Sequence, residues 1–322
     1  MKLARFLALL ACSLPCAIAS AQGPGYPSRP MRLIVPFPPG GSNDIVGRMV
    51  AAQLGDRLGQ QVVVDNRGGA GGVLGTELAA KSPPDGYTLL LISVAYAFGP
   101  ALHKHLPYDP EKAFAPVAML ATGPVALAVH PSLAVGTARE LIALAKAKPG
   151  TLNYASAGVG SLQHLAGALF MNQAGIDVVH IPYKGGGPAM ADVMAGQAQI
   201  ILPSMIQVIP LAKSGKLKVL GTSGVARSAA LPGVPTIAES GLPGYEAHNW
   251  WGILAPAGTP QPAIERLHAV LSEILQSGET RKRFEAEGAE VLRMSPAEFG
   301  RLIAAELVKW SKAASAAGIR AE

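Results

Sequence analysis

Apolar residues recur along this chain in two rhythms. Short runs of β-branched and aliphatic residues stand before stretches in which apolar positions return every three or four residues. The first rhythm predicts buried strands and the second amphipathic helices. Met31-Arg32-Leu33-Ile34-Val35 is such a run, and after it Ile45, Met49 and Ala52, with Val46, Val50 and Leu54, fall at helical spacing. Residues 61–64 predict a second strand and 73–81 a helix. Residues 87–92 predict a strand buried on both faces, because no polar alternation interrupts it. Strands alternating with helices imply a parallel sheet covered on both sides.

The apolar stretch 116–130 is too long for one ordinary strand and contains Gly123-Pro124, so it predicts two strands, the second crossing into another domain. Thr137-Ala138-Arg139-Glu140 is a capping box ahead of a helix closed by Pro149-Gly150. A strand over 152–156 then turns through Ala157-Gly158-Val159-Gly160-Ser161 into a helix carrying Leu162, Leu165 and Leu169. Residues 178–181 form a strand ending in Pro182-Tyr183-Lys184-Gly185-Gly186-Gly187, with a helix over 188–195. Strands at 200–202 and 217–221 complete this second set. Prolines and glycines make 228–245 an irregular connection, and 249–254 reads as a return strand to the first domain. Helices at 262–276 and 279–287 follow, and a last one opens at Ser295-Pro296-Ala297-Glu298 and runs to about 317. Two crossings between two α/β units imply hinged lobes with a cleft between them. The expected lobes are 22–124 with 248–322, and 125–247, each a mostly parallel sheet flanked by helices and joined by crossing strands.

Residues 35–44, Val-Pro-Phe-Pro-Pro-Gly-Gly-Ser-Asn-Asp, join the first strand to its helix. Three prolines fix φ and remove backbone donors, while Gly40 and Gly41 permit close approach. Ser42 or Asn43 is expected to cap a helix whose first N–H groups lack internal partners and carry about half a positive charge. A small carboxylate fits such an end. A tight turn with no ligand accounts for this loop equally well.

Composition narrows the setting. Residues 1–21 have a basic start, an apolar stretch over 6–18 and Ala19-Ser20-Ala21 at an A-x-A cleavage position. They predict an export signal removed after Ala21, in preference to a lipoprotein anchor at Cys12. Both cysteines, Cys12 and Cys16, lie in this segment, so no disulfide is expected in the mature chain. Losing Lys2 and Arg5 takes the formal charge from +6 to 6 − 2 = +4. The remaining basic residues are scattered, which speaks against nucleic acid and suits small anions. No later run predicts a membrane span. A soluble, periplasmic monomer is expected.

Other chemistries fail on spacing. The loop Gly69-Ala70-Gly71-Gly72-Val73-Leu74 places Leu74 where a dinucleotide fingerprint needs glycine, and Ser214-Gly215-Lys216 is followed by Leu217 instead of a hydroxyl residue. No cofactor is expected. Around Ser161 a nucleophile elbow would need glycine where Val159 and Gln163 stand. The seven histidines show no metal motif. Ser161 with His164, three residues apart on one helix, is the remaining hydrolase reading, and its geometry is poor for a nucleophile and base. The protein is expected not to be an enzyme. His164 faces the cleft or packs, and Lys184 touches an anion or is a solvated loop lysine. Of Trp250 and Trp251, alternating across a strand, at least one is expected in the core.

Taken together, Arg29-Pro30-Met31-Arg32-Leu33-Ile34-Val35-Pro36-Phe37-Pro38-Pro39-Gly40-Gly41-Ser42-Asn43-Asp44, Asn66-Arg67-Gly68-Gly69-Ala70-Gly71-Gly72, Asp85-Gly86-Tyr87-Thr88 and Leu106-Pro107-Tyr108-Asp109-Pro110 resemble one family. So do Tyr154-Ala155-Ser156-Ala157-Gly158-Val159-Gly160-Ser161, His180-Ile181-Pro182-Tyr183-Lys184-Gly185, Leu231-Pro232-Gly233-Val234-Pro235-Thr236 and Ala255-Pro256-Ala257-Gly258-Thr259-Pro260. In this order and spacing they resemble the Bug family, periplasmic substrate-binding proteins of tripartite tricarboxylate transporters, over essentially the whole mature chain.

The resemblance implies a two-lobed Venus-flytrap periplasmic binding protein that captures a small organic carboxylate and delivers it to a membrane permease, or informs a membrane sensor. Two loops would grip one carboxylate with the help of ordered waters. The implied contacts are Phe37, Pro38, Gly40, Gly41, Ser42 and Asp44 in the first loop, and Ser156, Ala157, Gly158, Gly160, Ser161 and His164 in and after the second. Ser93, Tyr183, Lys184, Pro203 and Ser204, at other strand ends, complete the set. Relatives commonly carry acids where Gln199 and Pro203 stand. Proline cannot receive a ligand's amine, so a carboxylate less polar than an α-amino acid is expected.

Overall fold

The structure is a computed structural model and describes residues 25–316. The export signal expected over residues 1–21, with Cys12 and Cys16, lies outside the described residues. The chain begins β1 (Met31–Val35), α1 (Ser42–Leu58), β2 (Val62–Asn66), α2 (Val73–Ala80), β3 (Thr88–Ser93), α3 (Ala95–Leu102) and β4 (Phe114–Pro124). It continues through β5 (Ala126–Val129), α4 (Ala138–Ala147), β6 (Asn153–Ser156), α5 (Leu162–Ala174), β7 (Val179–Pro182), α6 (Gly186–Met194), β8 (Ile200–Ile201), α7 (Met205–Lys213) and β9 (Lys218–Thr222). Then come β10 (His248–Pro256), α8 (Gln261–Gln276), α9 (Gly278–Ala286), β11 (Glu290–Val291) and α10 (Pro296–Ala316). Among the described residues, no helix is long and apolar enough to cross a membrane.

The strands form two sheets, β11-β4-β10-β3-β1-β2 and β7-β6-β8-β5-β9. β1 pairs in parallel with β2 and β3, as β6 does with β7 and β8. The other pairings are antiparallel, so the sheets are mixed where mostly parallel ones were expected. The crossings explain this. β4 carries the chain out of the first sheet and β10 brings it back, pairing His248 with Pro124, and two neighbouring passages in opposite senses must be antiparallel. The break falls at Val125, between β4 and β5, beside the Gly123-Pro124 signal.

The first sheet is buried on both faces. Leu33, Val35, Leu89, Leu91 and Ile253 pack in one cluster with Val46, Val50, Leu267 and Leu271 of α1 and α8. Ile34, Leu90, Ile92 and Leu254 belong to the other, with Phe98 of α3 and Phe299 and Ile303 of α10. Each such side chain contributes about 1.5–3 kcal/mol when fully buried. Trp250 and Trp251 take opposite faces, and both are core residues.

Two helices were absent from the sequence reading. α3 contains Tyr, Phe, Gly and Pro100, and α7 contains Pro210, a residue that removes a helical hydrogen bond. Packing compensates in α3, where the Phe98 ring meets the Trp310 ring of α10 edge-on at 4.5 Å.

Candidate functional site

β1 ends at Val35 and α1 starts at Ser42, so residues 36–41 form the first loop. Gly41 occupies the N-cap position, with no side-chain cap bond. Ser42 and Asn43, the expected caps, instead lie inside the first turn, and their side chains turn to other partners. Asp44 performs the local closure. Its Oδ2 accepts the Gly40 N–H at 3.0 Å, its Oδ1 accepts from Asn66 Nδ2 at 3.0 Å, and Arg48 Nε lies 2.9 Å from Oδ1. Burial works to raise this carboxyl's pKa, but the bonds from Arg48, Gly40 and Asn66 outweigh it and hold the group below the usual carboxylate range. Asn66 also donates to Phe37 O at 3.0 Å, tying the loop to the end of β2. Asp44, expected among the ligand contacts, therefore spends its acceptors on the loop itself.

The second loop joins β6 to α5. Gly158 and Gly160 take φ of 112° and 81°, conformations that side chains rarely adopt. Ser161 is the N-cap, and its Oγ accepts the His164 N–H at 3.2 Å. That bond goes to the backbone of His164 and not to its ring, so the pair is a helix cap and not a nucleophile with its base. The His164 ring faces inward, where Nδ1 accepts the Gly160 N–H at 3.3 Å. Behind it His180 stacks on His164 and Tyr154 on His180, each with centroids 4.6 Å apart. Ser156 Oγ, hydrogen-bonded to His180 Nε2 at 2.6 Å, also accepts the Gly158 N–H at 3.2 Å. Burial, then the neighbouring His164, pushes the His180 pKa down to about 4, and burial lowers that of His164. No acid stands in the first turn of α5.

The lobes meet along glycines. A Cβ on Gly187 would lie 2.7 Å from Pro39 O, and one on Gly185 would lie 2.9 Å from Pro38 Cδ. Gln207 of α7 bridges the seam, its Nε2 donating to Gly186 O at 3.1 Å and to Gly40 O at 3.4 Å. Behind the seam lies an inner cavity of about 30 Å³, room for about two waters. Phe37, Gly41, Ser42, Ser93, Ala157 and Ser161 of the expected set line it. Asn43, Ala95, Leu162, Gln163, Gly186 and Asn249 also line it and were not expected. Outside it the cleft opens to about 860 Å³, between Phe37, Pro38 and residues 68–72 on one side and Ala157, Gly158, His164, Tyr183 and Lys184 on the other. Phe37 lines both spaces.

Six expected residues stand apart from these linings: Asp44, which closes its own loop, Pro203, and four more. Gly40 is at the seam, Ser156 and Gly160 support the second loop from beneath, and Ser204 bonds Ser42 across the lobes at 3.4 Å. Pro203 is buried, and its carbonyl accepts the Ala126 N–H at 2.9 Å. Gln199 lies beyond the opposite end of β8, its Oε1 accepting the Asn153 N–H at 2.9 Å. Neither Pro203 nor Gln199 lines the inner cavity or the cleft. Asn43 and Asn249 carried a weak signal, polar residues at the edges of apolar elements. Gln207 sits on the helix that Pro210 concealed.

The profile of the tripartite tricarboxylate transporter family receptors (TctC) matches residues 46–319. Protein BugT of Bordetella pertussis is 39% identical over 315 residues, covering 97% of each chain. The solved structure of R. palustris Rpa4515 with adipate superposes with a TM-score of 0.89 at 34% identity, covering 92% of this chain and 100% of that one. MatC from Rhodopseudomonas palustris with bound malate gives 0.83 at 32% identity, covering 90% and 100%. Two mixed sheets with helices on their faces, two strand-to-helix loops meeting at one cleft and similarity along nearly the whole chain agree: this chain belongs to the TctC family of periplasmic solute-binding receptors.

Proposed function

We propose that this receptor captures a small organic carboxylate in the interlobe cleft and hands it, as an exported periplasmic monomer, to the membrane permease of a tripartite tricarboxylate-type transporter. The observation that carries this reading is the end of α5. It is capped by Ser161, carries no acid in its first turn and opens onto the inner cavity. A helix end of that kind contributes about 0.3–1 kcal/mol to an anion, and up to ~2 when partly buried. A micromolar complex needs about 8 kcal/mol. Hydrogen bonds to the charged group and closure of the lobes supply the remainder. Adipate on Rpa4515 and malate on MatC support the ligand class.

A thermal-shift screen of the chain from Gln22 against mono- and dicarboxylates, aromatic acids and amino acids tests the reading. A ligand at 100 times its dissociation constant adds about 2.7 kcal/mol of stability. One class of carboxylate should raise the melting temperature. No shift with any anion, and no carboxylate released on unfolding as read by mass spectrometry, would overturn it.

A further inference from the structure

Two carbonyl groups converge on one side chain where the lobes meet. Residues 39–41 and 186–187 lie backbone to backbone, since a Cβ on Gly40 would reach Gly187 Cα at 3.5 Å and one on Gly41 would reach Gly186 N at 3.8 Å. Among the described residues these two segments exchange no backbone hydrogen bond. Gly41 and Gly186 wall the inner cavity from opposite lobes, so parting the segments opens it. What joins them is Gln207, only 6% exposed. Its Nε2 lies 3.1 Å from Gly186 O in its own lobe and 3.4 Å from Gly40 O in the other.

The direction of this amide is forced. A carbonyl oxygen only accepts, so the atom facing both carbonyls is the nitrogen, with one proton for each. The reversed amide would set its own oxygen against two acceptors. The forced orientation leaves Gln207 Oε1 buried with no donor among the described residues, a cost borne only because the nitrogen is needed where it is. Gly40 is held from its own lobe as well, for its N–H donates to Asp44 Oδ2 at 3.0 Å. Asp44, Gly40, Gln207 and Gly186 thus form one chain of directed bonds from the first turn of α1 to the first turn of α6. The bond to Gly186 stays within one lobe. The bond to Gly40 spans two lobes, so it exists only while they are closed and favours the closed form alone.

We infer that Gln207 is a positioning residue for capture: anchored on Gly186, its amide supplies the donor that lets the Gly40 carbonyl close against the second lobe, and so it slows escape of the bound ligand. This rests on the capture reading above and adds to it the side chain that keeps the cleft shut.

Calorimetry and stopped-flow kinetics at pH 8 test it, with malate, succinate, adipate and any carboxylate that the thermal-shift screen selects. Gln207→Met keeps the length of the side chain without its donors, and Gln207→Glu keeps its shape but sets acceptors against both carbonyls. Gln207→Met should weaken binding about tenfold and Gln207→Glu more, through faster dissociation with association little changed. Ligand-free melting temperatures should stay within about 2 °C of the unaltered protein. A residue that merely fills space would respond to size, and Gln207→Glu would then bind as the unaltered protein does. In an Asp44→Ala background, where Gly40 is released, Gln207→Glu should cost less affinity than it does alone. Unchanged affinity in Gln207→Glu, or strictly additive effects with Asp44→Ala, would overturn the inference. So would melting temperatures that collapse in both Gln207 variants without ligand, because Gln207 would then serve the fold and not closure. If the unaltered protein binds a carboxylate and the variants bind it equally well, this inference fails and the capture reading stands. If the unaltered protein binds no carboxylate, the capture reading fails and this role falls with it.

Discussion

The two loops that meet at the cleft are built alike and do different work. Each leads from a parallel strand into a helix through glycine. The first is closed by its own acid, since Asp44 takes the Gly40 N–H and sets a negative charge in the first turn of α1. The positive end of that helix is already answered. The second is closed by a neutral hydroxyl, Ser161, and no acid stands in the first turn of α5. Its positive end faces the cavity unanswered. Two strand-to-helix turns of similar glycine content thus differ in what occupies the first turn, an acid in one and a neutral cap in the other.

Separating the loops should have the largest effect. Gly187→Ala places a Cβ against Pro39 O in a helix where alanine is about 1 kcal/mol better than glycine. The protein should keep or gain thermal stability while ligand affinity falls about a hundredfold, through a population shift away from the closed form. Unchanged affinity in calorimetry would show that the glycine seam is not part of closure.

Removing the clamp comes next. Asp44→Ala leaves the Gly40 N–H and one of the two Asn66 amide protons without an acceptor, and urea unfolding should read a loss of about 2 kcal/mol. A stability change below about 0.5 kcal/mol would mean that the first loop is held by its prolines alone.

Making the second loop resemble the first is a smaller change in energy and the more telling one. Gln163→Glu sets an acid in the first turn of α5 beside the cavity. Carboxylate affinity should drop about tenfold through like-charge repulsion and the loss of the free helix end. Tighter binding in that variant would contradict the receptor assignment of the second loop.

The smallest effect concerns pH. His180 sits between Tyr154 and His164 beneath the second loop, with Ser156 on its Nε2. Burial and then His164 lower its pKa from 6.5 to about 4 in the folded chain. Between those values the unfolded chain holds the proton and the folded chain does not. Stability from this group is therefore complete above pH 6.5, declines as pH falls to about 4, and is level below that. His180→Phe preserves the stack and removes the titration, so its melting temperature should fall less than that of the unaltered protein between pH 7 and pH 4.5. Parallel curves for the two would overturn this.

Much of the fold was legible because its signals are local. The Thr137 cap, whose Oγ1 accepts the Glu140 N–H at 3.1 Å, was readable from four residues. The Ser161 cap, the break near Pro124 and the return strand through Trp250 were likewise readable from short windows. α3 and α7 were not, because Pro100 and Pro210 argue against helix locally and only packing on α10 and across the seam outweighs them. The mixed sheets were missed for a similar reason: the direction of a strand depends on which neighbour it meets.

The candidate site divides along the same line. Most of the element order and the positions of both loops follow from periodicity, caps and proline and glycine placement, which act over a few residues, and the ordered set of motifs carries the resemblance to the family. Tertiary structure alone decided that Asp44 folds back on its own loop, that Pro203 and Gln199 lie outside the linings of the cavity and the cleft, and that Asn43, Ser93 and Asn249 line one cavity. Those three side chains are polar groups far apart in sequence, and each has many equivalent partners while the chain is open. Only the β3–β10 register, with burial that makes every unpaired donor or acceptor costly, selects one arrangement among them.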